Sequence, residues 1–427
     1  MDVVEVATPY RMRYAPVDPH LLLGGSVADA WDDALGASIE LVDLDLNREG
    51  CTVSADDMVR AEIVDPDTRG NREFVDCLHV AFKWNDGDND VLYWYPQGLT
   101  GSYDAVGGHG LWGSRSRRPD DGEDAEPSDG RKLLLVSWYC VNIDPNANFY
   151  RDGLEDPKGI RVSVVDVTDW DDPICYRHVL LVRPFLNNGV LDFEEVTYIN
   201  SRGYKTSYHG GGLAWYGRWL YVAATDRLLV FDLLAIKEVE GFDDDRCGLH
   251  GGTYHARGYR YVCPLVAEYL PEDDGGPPYF SSVAVDRSAT PHRLLAGKYL
   301  DEDDDLDDSL VTWWELDPSS GRIVTTATAH LFHSVAIETW VESVQAIKTY
   351  EYYMQGVLSL GDDFWISGQR RLLYADVRTG ADREYEWPYG CEDLTYSARS
   401  GNLWCLTEFT DPARRFVFAV KIEDFLG

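Results

Sequence analysis

Short apolar runs, interrupted by Gly, Asp, Asn or Pro every few residues, extend along almost the whole chain and strongly constrain its fold. Runs of this length, rich in Val, Leu, Tyr, Phe and Trp, predict β-strands joined by tight turns. Helical spacing is confined to Ser26–Leu35 and the region around Val335–Gln345. The pattern therefore predicts an all-β protein, either a sandwich, a barrel or a propeller. The clearest strand candidates are Lys132–Cys140, Ile160–Val167, Val179–Pro184, Trp219–Ala224, Leu228–Leu233, Tyr259–Val262, Ser281–Asp286, Leu310–Leu316, Phe364–Gly368, Arg371–Val377 and Phe416–Ile422.

An internal repeat favours the propeller among these architectures. A polar residue, small residues, an apolar strand, a Gly/Asp turn and a second strand with an aromatic residue recur in that order. We therefore predict one β-propeller domain over residues 1–427, with five blades, or six if both weak copies count. The secure copies open at Gln97, His209, Gln355 and Glu392, and the weak ones lie near Pro264 and Ser281.

The ends of the chain are expected to close this ring. Strand Phe416–Ile422 and the N-terminal run Cys77–Phe82 would pair, because a closed ring leaves no free sheet edge. Residues 1–70 show no clear strand or helix periodicity and are expected to cap or decorate the ring. Residues 114–130 are predicted to form a polar loop insertion, because after three arginines they contain almost only Asp, Glu, Pro, Gly and small residues.

The charge of the chain disfavours several classes of partner. Its 427 residues include 74 acidic and 38 basic ones, which gives a net charge of −36. Nucleic acids and anionic lipids require clustered Lys and Arg, so neither is an expected partner. No stretch approaches the roughly 18 apolar residues that a membrane helix needs. The sequence does not predict an oligomeric state.

The N-terminus and the cysteines bear on the compartment. Met1–Glu5 has no basic or apolar signal region, which predicts a cytoplasmic protein as written, although a mature secreted form would look the same. The 8 cysteines lack C-x-x-C spacing. Buried free thiols are the simplest interpretation, and disulfides stay open if the protein is exported.

A set of aromatic and acidic phrases runs from about residue 77 to the C-terminus. These phrases include Lys83–Asp90, Tyr93–Gly98, Arg177–Val182, Gly258–Val262, Val285–Ser288, Glu392–Tyr396 and Leu403-Trp404. Together they resemble a largely uncharacterised family of actinobacterial, often secreted, β-propeller-like proteins. The resemblance implies a shared fold and no particular chemistry.

The residues that open the repeat copies are the candidates for a site on the propeller axis. Innermost strands begin beside the central channel, where strands from every blade converge and ligands bind. His209, Glu392 and Asp393 are the predicted catalytic residues, with His209 as acid or base and Glu392 opposite it. The alternative is that these polar groups only satisfy backbone groups around the channel. Predicted substrate contacts are Gln97, Gln355, Tyr208, Trp215, Tyr352, Tyr353, His250 and His255.

The second possibility is that the residues that open the repeat copies hold one divalent metal at the axis. Imidazole and oxygen ligands suit Mn, Ca or Zn, and His209 and Glu392 are the expected ligands. A separate acidic loop, Asp86–Asp90, has alternating carboxylates. Its glycine is misplaced for a calcium loop, so a hairpin turn is expected there.

The favoured function is an enzyme that acts at the axial pocket on a small polar substrate, such as a sugar or a specialised metabolite. Hydrolysis or elimination would proceed by acid–base or metal-assisted chemistry. The first alternative is a non-catalytic propeller that binds a glycan or a peptide. The opening residues differ from blade to blade, which favours one asymmetric site over the repeated sites of a lectin. The second alternative is a scaffold whose acidic patches steer basic partners.

Overall fold

The protein is mostly β-structure in the computed structural model. The structure describes residues 4–5, 10–17, 26–60, 74–105, 131–141, 157–272, 280–330, 337–368, 370–409 and 415–426. The loop predicted over 114–130 lies outside these residues. Within the described part of the chain, no helix is long and apolar enough to cross a membrane.

The strands of the described residues are labelled β1 to β32 in chain order. Their bounds are Val4–Glu5, Arg11–Pro16, Arg48–Glu49, Cys51–Thr52, Leu78–Lys83, Trp94–Gly101, Leu133–Cys140, Ile160–Asp166, Cys175–Asn187, Val190–Glu195, Thr197–Ile199, Lys205–Ser207, Gly212–Tyr216, Trp219–Ala224, Arg227–Asp232, Lys237–Glu238, Cys247–His250, Thr253–Ala256, Tyr261–Pro271, Phe280–Asp286, Arg293–Lys298, Val311–Glu315, Thr325–His330, Ile337–Glu342, Gln345–Lys348, Gly356–Leu360, Asp363–Ser367, Arg371–Asp376, Ala381–Glu386, Thr395–Ser397, Asn402–Leu406 and Phe416–Lys421.

Helices are short and few in the same residues. The α-helices α1 to α4 span Ser26–Leu35, Ala55–Arg60, Asp86–Asn89 and Ile422–Leu426, and 3-10 turns span Leu41–Asp43, Leu233–Ala235 and Leu306–Asp308. Helix α1 has the bounds that the sequence predicts. The second predicted helix, around Val335–Gln345, is wrong, because Ile337–Glu342 forms strand β24 and pairs with β2 and β23.

Most strands belong to antiparallel meanders that follow the chain order. These sets are β6-β7-β8-β9, β13-β14-β15-β19, β20-β21-β22-β25, β26-β27-β28-β29 and β30-β31-β32-β5. The last set joins the two ends of the chain, since Phe416 pairs with Lys83 and Phe418 with Ala81. The predicted pairing of the C-terminal strand with an N-terminal strand is therefore confirmed.

The first strands of these sets lie against one another. Strand β13 contacts both β6 and β20, β20 contacts β26, and β30 contacts β6. Gly356, at the start of β26, packs on the segment before β30, where a Cβ atom would lie 2.7 Å from the Leu394 amide nitrogen. Only glycine permits this approach. The candidate copy at Ser281 lies in the first strand β20, whereas the copy at Pro264 lies in the outer strand β19.

Strand β19 links two of the sets into a larger sheet. Residues 265–269 of β19 pair antiparallel with β15, and residues 261–264 pair parallel with β9. The N-terminal residues add to sheet edges, because β1 pairs with β25, β2 with β19 and β24, β3 with β9 and β4 with β5. Large aromatic side chains fill the spaces between the sheets, and Trp84, Trp138, Trp215, Trp314 and Trp365 are fully buried.

Candidate functional site

Four polar side chains meet where the first strands of three sets begin. Gln97 Nε2, on β6, donates a hydrogen bond to Glu408 Oε2 at 2.6 Å. Gln355 Nε2, just before β26, donates to Glu392 Oε1 at 3.4 Å. The carboxyl groups of Glu392 and Glu408 are close enough for each to shift the pKa of the other. We call Gln97, Gln355, Glu392 and Glu408 the carboxyl cluster; the repeat indicated three of its members, and Glu408 was not foreseen.

The cluster is buried at one end and reaches solvent at the other. Glu392 is 1 % exposed and Gln97 is 6 % exposed, whereas Gln355 and Glu408 are partly exposed. Glu392 Oε2 accepts no hydrogen bond from an N–H or hydroxyl group of the described residues. Glu392 Oε2 is therefore a buried acceptor atom without a donor among these residues.

Both carboxyl groups of the cluster have raised pKa values. Burial, together with the neighbouring Glu408 charge, raises the pKa of Glu392 well above its usual range. Burial also raises the pKa of Glu408 to about 7, although the Gln97 hydrogen bond and the Arg415 charge act in the opposite direction. Two ionised carboxylates in contact would repel each other. Both shifts favour the protonated form, so we expect the pair to retain a proton near neutral pH, mainly on Glu392.

Arg415 supplies the positive charge behind Glu408. Its Nε donates to the Glu408 carbonyl oxygen at 3.0 Å and its Nη1 donates to the Asp88 carbonyl oxygen at 2.8 Å. The guanidinium group is fully buried and lies 5.0 Å from the ring centroid of Tyr95 and 5.6 Å from that of Trp138. Burial lowers the pKa of Arg415 to about 10, so this side chain stays charged at neutral pH.

Tyrosines line the partly exposed side of the cluster. The ring centroids of Tyr299 and Tyr353 lie 6.1 Å apart, and those of Tyr352 and Tyr353 lie 6.4 Å apart. Burial raises the pKa of Tyr299 to about 12, and the charges of Tyr353, Asp301, Glu392 and Glu408 add to this effect. The predicted contacts Tyr352 and Tyr353 therefore lie near the cluster, together with Tyr299, which was not predicted.

Asp393 points into the protein instead of toward the cluster. It is 0 % exposed, and its Oδ2 accepts hydrogen bonds from the Leu99 and Leu213 amides, each at 2.9 Å. These amides belong to β6 and β13, which are neighbouring first strands without a ladder between them. Asp393 therefore holds the inner strands together, as the alternative interpretation of the polar ring proposed, and the prediction of a catalytic role is corrected.

His209 lies at the mouth of the same end of the molecule. Its imidazole is exposed and packs edge-on against Tyr139, with ring centroids 4.6 Å apart. Tyr139 in turn packs against Tyr95 at 5.9 Å, so the aromatic row ends at Arg415.

The predicted metal ligands do not form a common ligand group. Within the described residues, Asp243, Asp244 and His255 form the single group of three His, Cys, Asp or Glu side chains whose ligand atoms converge, so His209 and Glu392 belong to no such group. His255 Nδ1 lies 3.0 Å from Asp244 Oδ1, and Arg246 also binds Asp244. His250 Nε2 lies 2.7 Å from the Cys247 carbonyl oxygen. Both predicted histidines therefore lie in the β17–β18 hairpin and not in the carboxyl cluster.

Two further predicted contacts are part of the core. Trp215 is fully buried, and its Nε1 donates to the Gly217 carbonyl oxygen at 2.9 Å. Tyr208 is buried against Tyr198, with ring centroids 4.6 Å apart. Their prediction as substrate contacts is corrected, because the aromatic residues that flank a repeat opening pack between sheets.

The 8 cysteines are free.

A second buried polar network surrounds Asp88. The acidic loop that was expected to be a hairpin turn is helix α3, which is capped by the Asn85 side chain accepting from the Asp88 amide. Asp88 Oδ1 binds Arg161 at 3.1 Å and His178 at 2.9 Å, while its Oδ2 binds Arg48 and Tyr176. Although burial opposes ionisation, these partners hold the pKa of Asp88 below its usual range. The loop is therefore an internal ion-pair site.

Ser163, His178 and Asp88 of this network have the residue types of a catalytic triad, but the serine is buried. His178 Nδ1 lies 2.9 Å from Ser163 Oγ and His178 Nε2 lies 2.9 Å from Asp88 Oδ1. Ser163 is 0 % exposed, and its Oγ accepts from Trp138 Nε1 at 2.8 Å. Burial and the Arg161 charge lower the pKa of His178 to about 3. A nucleophile must reach its substrate, so these residues stabilise the sheet instead.

Comparisons with known proteins give no family for the chain. No family model matches, and no curated protein matches. The WD40 domain of Neurospora crassa Pan2 is 10% identical, with 77% of this chain and 95% of that chain covered and a TM-score of 0.23. An ACO/RPE65 chimera is 9% identical, with 70% of this chain and 60% of that chain covered and a TM-score of 0.21. These likenesses are too weak to carry an inference about function.

Proposed function

We propose that the protein is a five-bladed β-propeller whose carboxyl cluster lies at one end of the central axis. Five antiparallel meanders support this arrangement, together with the contacts of β13 and β20 with neighbouring first strands. The pairing of β32 with β5 places strands from both ends of the chain in one blade. The residues before β30 and β26 and at the start of β6 then face one channel mouth.

We further propose that the cluster catalyses hydrolysis of a small polar substrate by acid–base chemistry. The observation that carries this proposal is the contact between the Glu392 and Glu408 carboxyls, because one proton on such a pair gives an acid and a base side by side. The pKa of about 7 for Glu408 lies where a group both takes up and releases protons at neutral pH.

In the proposed reaction the two carboxyl groups have separate roles. Glu408, as a carboxylate, takes a proton from water while the water oxygen bonds to the electrophilic carbon of the substrate. Glu392 gives its proton to the leaving oxygen as the bond between that oxygen and the carbon breaks. The proton on Glu408 then passes to Glu392 through their contact, so the pair is restored and one water molecule is consumed. Elimination would use the same pair, with Glu408 taking a proton from carbon.

The neighbouring side chains would position the pair and the substrate. The Gln97 and Gln355 amides each donate to one carboxyl, which fixes the orientation of both groups. Tyr299, which the charges of Glu392 and Glu408 reach, and the Tyr353 ring packed on it would offer aromatic surface beside the cluster, which suits a sugar or another polar ring. This tyrosine pair also favours the second candidate function, binding of a glycan without turnover.

A panel of chromogenic glycosides, esters and lactones tests the proposal. We expect wild-type turnover of at least one substrate, with a loss of about 100-fold or more in Glu392→Gln and Glu408→Gln, the usual contribution of a general acid or base. Glu423→Gln is the matched control, because Glu423 is an exposed residue of α4. Equal activity in all variants would contradict the acid–base role. Binding of a sugar that Tyr353→Ala abolishes, without any turnover, would establish the second function instead.

A further inference from the structure

A cavity of about 150 Å³ lies beside the junction of β9 and β19. Its walls come from the N-terminal segment at Asp45 and Arg48, from Arg177 and His178 of β9, and from Tyr259 and Arg260 before β19. None of these residues belongs to the carboxyl cluster. The cavity is therefore a second candidate binding site.

The charge of the lining is opposite to that of the whole chain. Three arginines and one acidic residue line the cavity, in a protein with a net charge of −36. Burial and the Arg161 charge keep His178 neutral by lowering its pKa to about 3. Asp88 lies behind the wall and is balanced by Arg161 at 3.1 Å. With their ion-pair partners included, four guanidinium groups face three carboxylates, which leaves an excess of one positive charge that would attract an anion. These groups are Arg48, Arg161, Arg177 and Arg260 against Asp45, Asp88 and Glu238.

The arginines already hold one carboxylate in a fixed geometry. Asp45 Oδ2 accepts from Arg177 Nη2 at 2.8 Å and from Arg260 Nη1 at 3.1 Å. Both guanidinium groups also lie over the Tyr261 ring, at 5.7 and 5.6 Å from its centroid. Stacking and ion pairing together restrict the two side chains, so little conformational entropy remains to be lost when a ligand binds.

Donor groups remain available after these contacts. Arg48 Nη1 donates a hydrogen bond to Asp88 Oδ2 at 2.9 Å, and Arg260 Nε donates one to Glu238 Oε1 at 2.6 Å. Arg48 Nη2, Arg177 Nη1 and Arg260 Nη2 have no hydrogen-bond acceptor among the described residues. Guanidinium groups bind phosphate oxygens through paired N–H donors, and a cavity of this volume accommodates a phosphate group.

We propose that this arginine-lined cavity binds a phosphate group, either inorganic phosphate or the phosphate of a small metabolite. The Asp45 carboxylate competes with that ligand for Arg177 and Arg260, because its Oδ2 already occupies one donor of each. The site is independent of the proposed function, since it shares no residue with the carboxyl cluster.

Calorimetric titration of the full chain at neutral pH and constant ionic strength tests the proposal, with inorganic phosphate as the probe. We expect saturable 1:1 binding, weakened about tenfold or more in Arg260→Gln by the loss of a charge-assisted hydrogen bond. Arg378→Gln is the control, because the Arg378 side chain is 72% exposed and lies in the turn between β28 and β29. Absence of binding to the wild type, or equal binding by Arg260→Gln, would overturn the proposal.

Asp45→Asn separates loss of a ligand site from loss of structure. This variant removes the competing negative charge, so we expect phosphate to bind more tightly than to the wild type. Unchanged or weaker binding, in a variant whose thermal unfolding midpoint matches that of Arg378→Gln, would contradict the competition. A parallel titration with a sugar phosphate identifies the source, because a metabolite phosphate would bind more tightly than inorganic phosphate if Tyr259 contacts the sugar.

Discussion

Gln97 Nε2 lies 2.6 Å from Glu408 Oε2, although the two residues are 311 positions apart in the chain. Gln97 is on β6, and Glu408 follows β31 in the set of strands that β5 completes. This hydrogen bond therefore depends on the pairing of strands from opposite ends of the chain. The set of strands that joins the two ends of the chain therefore also supplies part of the carboxyl cluster.

The closing pair of strands should be a sensitive point for stability. Phe418 of β32 is fully buried and packs edge-on against Phe74 and Trp387, each at 5.3 Å between ring centroids. We expect Phe418→Ala to lower the free energy of unfolding by about 3–5 kcal/mol through the cavity that it leaves. Urea titration measures this loss, with the exposed Val377→Ala as the control. A loss below that of the control would show that the closing strands are not part of the cooperative core.

The carboxyl cluster should also make the free energy of unfolding depend on pH below neutrality. The pKa of Glu408 rises from 4.5 in the unfolded chain to about 7 when folded, so the folded state binds more protons between these values. Its stabilising contribution is present below about pH 4.5 and is lost as pH rises through about 7. We expect Glu408→Gln to reduce the fall in unfolding free energy across this window. Parallel curves for the variant and wild type would contradict the raised pKa.

Asp393 should matter to stability through its acceptor atoms. Replacement by Ala removes the acceptor of the Leu99 and Leu213 amides, and each buried unsatisfied amide costs about 1–3 kcal/mol. Asp393→Asn keeps a carbonyl oxygen, so we expect a smaller loss than in Asp393→Ala. Chemical unfolding of both variants makes the comparison. Equal losses would show that the carboxylate charge, and not the acceptor geometry, holds β6 to β13.

Ser163 should be dispensable for turnover. Its hydroxyl bonds Trp138 Nε1 at 2.8 Å and His178 Nδ1 at 2.9 Å inside the sheet. We expect Ser163→Ala to lower unfolding free energy by about 1–3 kcal/mol, because two buried groups lose a partner. We also expect no covalent labelling of the wild type by a fluorophosphonate probe. Labelling that disappears in Ser163→Ala would instead make this serine a nucleophile.

The repeat pattern located Gln97, Gln355 and Glu392 because each opens the first strand of a set or the segment before it. The repeat did not indicate Glu408 of the cluster or the nearby Tyr139 and Tyr299. These three residues lie at or just beyond the end of the second strand of a set. In an antiparallel pair, the second strand ends at the edge where the first begins. That rule would have found them from the sequence.

Other features could not be derived from the sequence. Trp215 and Tyr208 have the same residue types as ligand-stacking aromatics, and only the packing of the sheets assigns them to the core. In the sequence, the acidic loop at Asp88 resembles a solvated turn. Its partners Arg48, Arg161 and His178 come from distant strands. Long-range pairing of charges leaves no local pattern in the chain.

The protonation of the Glu392–Glu408 pair is the most direct test of the account. Infrared difference spectra of the wild type and Glu392→Gln at neutral pH report the carbonyl stretch of a protonated carboxyl group, and Asp393→Asn distinguishes the neighbouring buried acid. Burial also raises the pKa of Asp393 well above its usual range, so both acids contribute to the protonated carboxyl band. We expect Glu392→Gln to remove one component of this band, and Asp393→Asn to retain that component. If the band is unchanged in Glu392→Gln, or absent from the wild type, then the pair holds no proton and the proposed acid–base chemistry is wrong.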